Sequence, residues 1–185
     1  MSSNMTTDNP LSKYFRQPKI YIRLPSKGQY YPFGSIEIPE SGEFPVYPMT
    51  AIDEITAKTP DALFNGAAMA DIIKSCVPNI KDPWKINSID LDAILIAIKS
   101  ASGGNDMEVT SECPSCHEVD QYSVSLVSLL PNLKAGNYDQ ELKLNDLAFK
   151  FRPLSYKEMN EVSLGQFELQ RVFSIIESTE NFDEK

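Results

Sequence analysis

One segment constrains this chain more than any other: residues 88–104, whose apolar side chains have nowhere to go except a core. Leu91, Ile94, Leu95 and Ile98 recur at three- and four-residue spacing, with Ala93, Ile96, Ala97 and Ala101 filling the flanks. The pattern predicts a helix that is apolar over most of its circumference, so it needs cover on several sides. Ser88 stands where an N-cap belongs and Gly103-Gly104 supplies the stop. The longest apolar stretch, residues 91–98, is interrupted by Asp92 and falls far short of the about 20 residues that span a bilayer. The cover must therefore come from the rest of the chain. With 42% hydrophobic residues in 185, there is enough apolar material to provide it.

The surrounding sequence predicts mixed elements. Residues 19–24 alternate, with Ile20, Ile22 and Leu24 on one face, and read as a strand. Pro25-Ser26-Lys27-Gly28 is a turn. An aromatic cluster of Tyr30, Tyr31 and Phe33 follows, either core beneath a small sheet or a docking surface. Short strands are expected at 35–38 and 43–47. Thr50 caps a short helix to Lys58, with Asp53 and Glu54 in its first turn. Thr59 and Pro60 open another helix running to about Cys76, and residues 79–87 form a loop. Residues 107–112 and 121–126 alternate as strands around a hairpin tip, Cys113-Pro114-Ser115-Cys116. A second hairpin joins 141–144 to 148–152, with Leu147, Phe149 and Phe151 on one face. Ser155-Tyr156-Lys157-Glu158 is a capping box opening a final helix to about Ser178.

The expected class is α+β, with small N-terminal β segments, a central helical cluster, a Cys-x-x-Cys-tipped β hairpin and a C-terminal amphipathic helix. Residues 1–18, rich in Ser, Thr, Asn and Asp, read as a flexible arm. Residues 19–154 read as a single domain, and 155–185 as a partner-type helix with an acidic tail.

Charge and missing residue types narrow the function. The net charge of -9 argues against a nucleic-acid surface and against anionic membranes. The polar start, residues 1–10, has no apolar signal core, so the three cysteines read as reduced thiols. A single histidine nearly excludes a Ser-His-Asp set or a two-histidine metal site, and no glycine-rich phosphate loop occurs. Asp90 with Asp92, and Glu158 with Glu161, read as solvated charge on helix surfaces and complement to the helix N-terminal dipole rather than as acid–base pairs. No cofactor is required, and an enzyme is not expected. Zinc is the one candidate ion. Cys113 and Cys116 have knuckle spacing, but a structural site needs four ligands and only Cys76 and His117 are at hand. Acidic groups or a neighbouring subunit could close it, or the turn could be metal-free. Cys113 to His117 also matches the haem-attachment pattern, which the lack of an export signal disfavours. A thioredoxin-like pair would open a helix, whereas these flanks alternate as strands.

The final helix carries the strongest binding pattern. Met159, Val162, Gln166, Leu169, Phe173 and Ile176 fall at alternating steps of three and four, the spacing of a coiled-coil seam with one polar position. Two readings stand: a helix folded onto its own domain, or one that packs on a partner chain.

The order of several short motifs adds a resemblance. Ile22-Arg23-Leu24-Pro25-Ser26-Lys27-Gly28, Tyr47-Pro48-Met49-Thr50-Ala51-Ile52-Asp53-Glu54, Ile72-Ile73-Lys74-Ser75-Cys76, Asp92 to Ile98, Cys113 to Cys116 and Arg152-Pro153-Leu154-Ser155-Tyr156-Lys157-Glu158 appear in that order. The series resembles the baseplate hub and hub-assembly proteins of T-even-type contractile-tail phages, over residues 19–165. The resemblance implies a protein made in the infected bacterial cytoplasm that acts in building the hub, as a component that stays in the tail baseplate or as an assembly chaperone. It brings no catalytic residues. Its implied partners are other hub subunits or a second copy of the chain, with no nucleic acid and no membrane span. Arg23, Leu24, Pro25, Tyr30 and Tyr31 are the expected contact residues on one face, and the final helix supplies the other. The alternative from another class is a zinc-knuckle regulatory or binding module.

Overall fold

The computed structural model describes residues 15–60 and 65–180, with side chains to residue 176. The strands are β1 (Ile20–Ile22), β2 (Phe44–Val46), β3 (Asp106–Glu112), β4 (Val119–Ser125), β5 (Glu141–Leu144) and β6 (Leu147–Lys150). The helices are α1 (Ala51–Thr56), α2 (Ala67–Cys76), α3 (Ser88–Gly103), α4 (Leu126–Leu129) and α5 (Tyr156–Glu180). Among the described residues the strands form three separate antiparallel pairs, β1–β2, β3–β4 and β5–β6. The fold is α+β.

The core forms around α3. Leu91, Ile94, Ala97, Ile98 and Ala101 meet Ile72, Ile73 and Cys76 of α2 on one side. Ile22, Phe44 and Val46 of the β1–β2 pair meet them on another, and Val77, Ile80 and Ile86 from the intervening loop close the gap. Full burial of side chains this size stabilises by about 1.5–3 kcal/mol each before entropy is charged. The β1–β2 register, Ile20 opposite Val46 and Ile22 opposite Phe44, puts both apolar rows on the same face. α1 starts as expected, on a reciprocal capping box between Thr50 and Asp53.

Four expectations fail locally. The strand at 35–38 reduces to one bridge, Ile36 to Ile80, made by the Lys81 N–H on the Ser35 carbonyl and the Glu37 N–H on the Asn79 carbonyl. The cap of α3 is Asn87 rather than Ser88. Ser88 is already helical, its N–H bonded to the Leu154 carbonyl, and Asn87 turns its amide to the Gln29 carbonyl, 2.9 Å away. The helix expected from Thr59 to Cys76 is not continuous: Pro60 is helical, residues 61–64 lie outside the described residues, and a turn at Asn65 and Gly66, with Gly66 left-handed (φ 78°), precedes α2 at Ala67. The aromatic cluster does not assemble: Tyr31 turns inward to Asp90, Tyr30 meets Tyr138 edge-on at 5.8 Å, and Phe33 is fully exposed.

The flexible arm falls largely outside the described residues, which begin at Phe15. Its described end is pinned. Arg16 donates to the carbonyls of Ser75 (2.9 Å) and Pro48 and lies over the Tyr47 ring. The acidic tail lies outside the described side chains.

Candidate partner-binding surfaces and the cysteine turn

α5 has a fixed base. The Ser155 N–H and hydroxyl both donate to Glu158 Oε2, at 2.8 and 2.9 Å, and the Glu158 N–H returns to Ser155 Oγ at 3.3 Å. Arg152 grips the same carboxylate through both guanidinium nitrogens. Those Arg152 bonds first, then the Ser155 donors, hold the Glu158 carboxyl far below its usual range. Glu158 is thus the cap that the Ser155–Glu158 box predicts, and beyond that an ion-pair partner of Arg152. The Tyr156 ring stacks on Trp84 at 5.2 Å. Its hydroxyl donates to the Gly66 carbonyl at 3.0 Å, and the Asn160 amide donates to the Asn65 carbonyl at 2.9 Å. Gly66 is needed here twice over. Its φ is positive, and a Cβ would stand 2.7 Å from Asn160 Oδ1 and 2.8 Å from the Tyr156 hydroxyl.

Beyond that base the helix changes character. Met159 packs against the core, but Val162, Leu169, Phe173 and Ile176 are 63%, 60%, 61% and 46% exposed, and Gln166 is exposed among them. The expected seam therefore splits. Its first member belongs to the fold, and the rest lies along a 25-residue helix of about 37 Å. A helix folded along its whole length onto its own domain is not what the described residues show.

The other expected face divides differently. Arg23, Leu24, Pro25 and Tyr30 line one groove of about 590 Å³, closed on its far side by the loop at 130–139. Leu24 itself is core, 3% exposed, and Tyr31 does not reach the groove. Behind it stands Asp90, fully buried at the start of α3. Asp90 accepts from the Ser26 N–H and the Tyr31 hydroxyl, each at 2.8 Å, and from the Ser26 hydroxyl. Burial pushes its carboxyl up, opposed by those three bonds, and burial likewise raises the Tyr31 phenol. Asp90 ties the turn to α3, where solvated charge had been expected.

A second acid, Asp53, was expected in the first turn of α1 but not as a buried group with distant partners. Burial works to raise the Asp53 carboxyl. Bonds from the Thr50 N–H and hydroxyl and the Ser75 hydroxyl, with the Arg16 charge 3.6 Å away, outweigh it and leave it lowered. The signal for Asp90 is its place between Ile89 and Leu91 in the most apolar helix. Arg16 offered none, sitting in a polar leader.

The cysteine turn crowns the β3–β4 hairpin. The Cys113 N–H donates to the Glu118 carbonyl and the His117 N–H to the Cys113 carbonyl, both at 2.9 Å. His117 is left-handed at φ 56°, which lets a tight turn close. The N–H groups of Cys116 and Ser115 are directed at the Cys113 sulfur and lower its thiol pKa. His117 Nδ1 lies 2.7 Å from Glu112 Oε1. Cys76 is far from this tip, buried in the core with its sulfur 3.3 Å from Arg16 Nη2. Among the described residues no group of three or more metal-ligating side chains gathers.

Comparison with protein-family models matches residues 17–185 to the family described as T4 bacteriophage base plate protein. The chain belongs to this family. No curated protein and no solved structure matches it. The baseplate family match starts just after Arg16 and runs through α5, so it covers the core, both hairpins and the helix. A baseplate protein works in contact with other phage proteins of the virion tail. None of its described helices is long and apolar enough to cross a membrane.

Proposed function

We propose that this baseplate protein serves the central hub, as a hub subunit or as a chaperone of hub assembly, and that it acts by protein–protein contact rather than catalysis. The observation that carries the reading is α5, a helix locked at its base to the core and apolar along an exposed shaft. Docking Val162, Leu169 and Phe173 on a neighbour would contribute about 1.5–3 kcal/mol each. The capped, stacked base reduces the entropy of ordering the shaft, which favours affinity. The groove beside Arg23, Pro25 and Tyr30 offers a second contact, and the acidic surface biases partner choice. Synthesis and assembly would take place in the host bacterial cytoplasm.

The test is a pull-down from infected cells with the full chain as bait, beside a variant carrying Val162→Glu, Leu169→Glu and Phe173→Glu. Hub subunits should come down with the parent chain and not with the variant. Recovery of no hub subunit by the parent chain would overturn the proposal. Probing purified virions then separates the two roles: a retained chain is a component, an absent one a chaperone.

A further inference from the structure

The cysteine turn is built as half of a metal site. Cys113 and Cys116 sit on one tight turn, Cys113 half-buried and Cys116 exposed. The left-handed His117 and the paired bonds of Cys113 with His117 and Glu118 hold that turn closed. Two thiolates at this spacing bind one soft, tetrahedral cation and leave two coordination positions open. Nothing else in the described chain fills them. Cys76 is locked in the core by Arg16, and the His117 ring is turned toward Glu112.

We propose that Cys113 and Cys116 bind a zinc ion that is completed by the same two cysteines of a second copy of this chain, giving a tetrathiolate bridge between two hairpin tips. Identical halves closing on a two-fold axis give the simplest complete shell, because each copy brings just the missing pair. The hairpin supplies a further reason for a second copy. Met107, Val109, Tyr122 and Val124 share one face of β3–β4 through the pairs Met107–Val124 and Val109–Tyr122. The first three are 40%, 37% and 54% exposed. An isolated two-stranded hairpin with an open apolar face is marginal in water. Two such faces, brought together at the tips, cover each other.

Charge makes the contact conditional on metal. Residues 106–125 carry Asp106, Glu108, Glu112, Glu118 and Asp120 and no lysine or arginine. Two such hairpins repel when apposed, so they stay apart without the four zinc–sulfur bonds; the tetrathiolate centre is itself a dianion and offsets none of that charge. Binding displaces the thiol protons of all four cysteines into solvent, with no change of oxidation state, so affinity falls as pH falls. The proposal does not depend on which baseplate position the chain occupies.

The test uses the full chain with zinc alone. Metal analysis should give one zinc per two chains. Light scattering should show the mass doubling from 20.7 kDa on adding zinc and reverting with chelator. Cobalt in place of zinc should give the thiolate charge-transfer and visible bands of a four-sulfur tetrahedral ion. Cys116→Ser, checked for intact fold by circular dichroism, should lose the metal and the dimer together. Thiol labelling of the parent chain gives a readout independent of any variant: zinc should protect Cys113 and Cys116. One zinc per chain with no change in mass, zinc binding that survives Cys116→Ser, or no zinc uptake with both tip thiols labelled equally fast would each overturn the proposal.

Discussion

Replacing Asp90 by alanine would test whether a buried carboxylate holds the Arg23–Gly28 turn on α3. The carboxylate receives three donors, of which the Ser26 N–H has no solvent access once the turn is closed, since Ser26 is 2% exposed. Stranding that N–H costs about 1–3 kcal/mol. The Ser26 and Tyr31 hydroxyls lose a charge-assisted bond each, but both can rotate, and Tyr31 is only partly buried, so they add about 0.5–1 kcal/mol apiece. Relief of the buried charge offsets part of the total. A net loss of about 3 kcal/mol remains, or about 6–12 °C in Tm for a chain of this size. Differential scanning calorimetry of the variant beside the parent measures it. A Tm within about 1 °C of the parent would show that the three bonds contribute nothing net, and the role given to Asp90 would be wrong. Asp90→Asn sharpens the experiment through pH. The folded protein holds the Asp90 proton more readily than the unfolded chain, so this group's contribution is full below its ordinary value of 3.8 and is lost as pH rises through the raised folded value. Asn cannot titrate. The stability gap between parent and Asp90→Asn should therefore be widest in acid and narrow toward neutrality.

Four further outcomes follow from the α5 base and the Arg16 anchor. Gly66→Ala meets both a positive φ, costing about 1–2 kcal/mol, and the Asn160 and Tyr156 side chains; limited proteolysis should cut α5 faster while the core stays protected. Ser155→Ala removes the cap at a cost of about 1 kcal/mol, and circular dichroism should register lost helix. Arg16→Ala breaks its bonds to Ser75 and Pro48 and should cost about 2 kcal/mol by denaturant titration. Glu158 and Asp53 have folded values below their ordinary 4.5 and 3.8, so their support is present above those values and lost as pH falls through the lowered ones; Glu158→Gln should remove part of that acid loss, read as helix content against pH.

Local chemistry was legible in the sequence wherever the partner lay a few residues away. The capping boxes at Thr50 and Ser155 need only neighbours at three residues' distance, and both form. The periodicity of residues 91–98 and the alternation around Cys113 and Cys116 likewise describe one element at a time, and both elements are there. Contacts across long stretches of chain were not legible. Asp90 finds Ser26 and Tyr31, about sixty residues earlier, and Arg16 reaches Ser75 at a similar separation. Ile36 pairs with Ile80 through the Lys81 N–H to Ser35 and the Glu37 N–H to Asn79, a partner segment far along the chain. In each case the competing group sits in a different element, and only the packed core decides which donor reaches which acceptor.

The distribution of burial connects this fold to assembly. Up to residue 103 the described large aliphatic side chains of the regular elements are buried or half-buried, apart from Ile52 and Ile55 of α1. After residue 105 the balance reverses. On β5–β6, Leu142, Leu144, Leu147 and Phe149 share one face through the pairs Leu142–Phe149 and Leu144–Leu147, and all four are exposed. β3–β4 repeats the arrangement with Met107, Val109 and Tyr122, and the α5 shaft repeats it as a helix. Two-stranded hairpins are marginal alone, and most helical stability in proteins comes from packing an apolar face. Three amphipathic elements that leave such faces open form an exposed apolar surface typical of an interaction site. A protein whose core lies mainly in its first half, with most apolar faces of its second half left open, is suited to a particle in which neighbours complete it. Variants that break contacts of the first half should therefore act on the stability of the isolated chain. Substitutions on the exposed faces of the second half should leave that stability nearly unchanged and act on assembly.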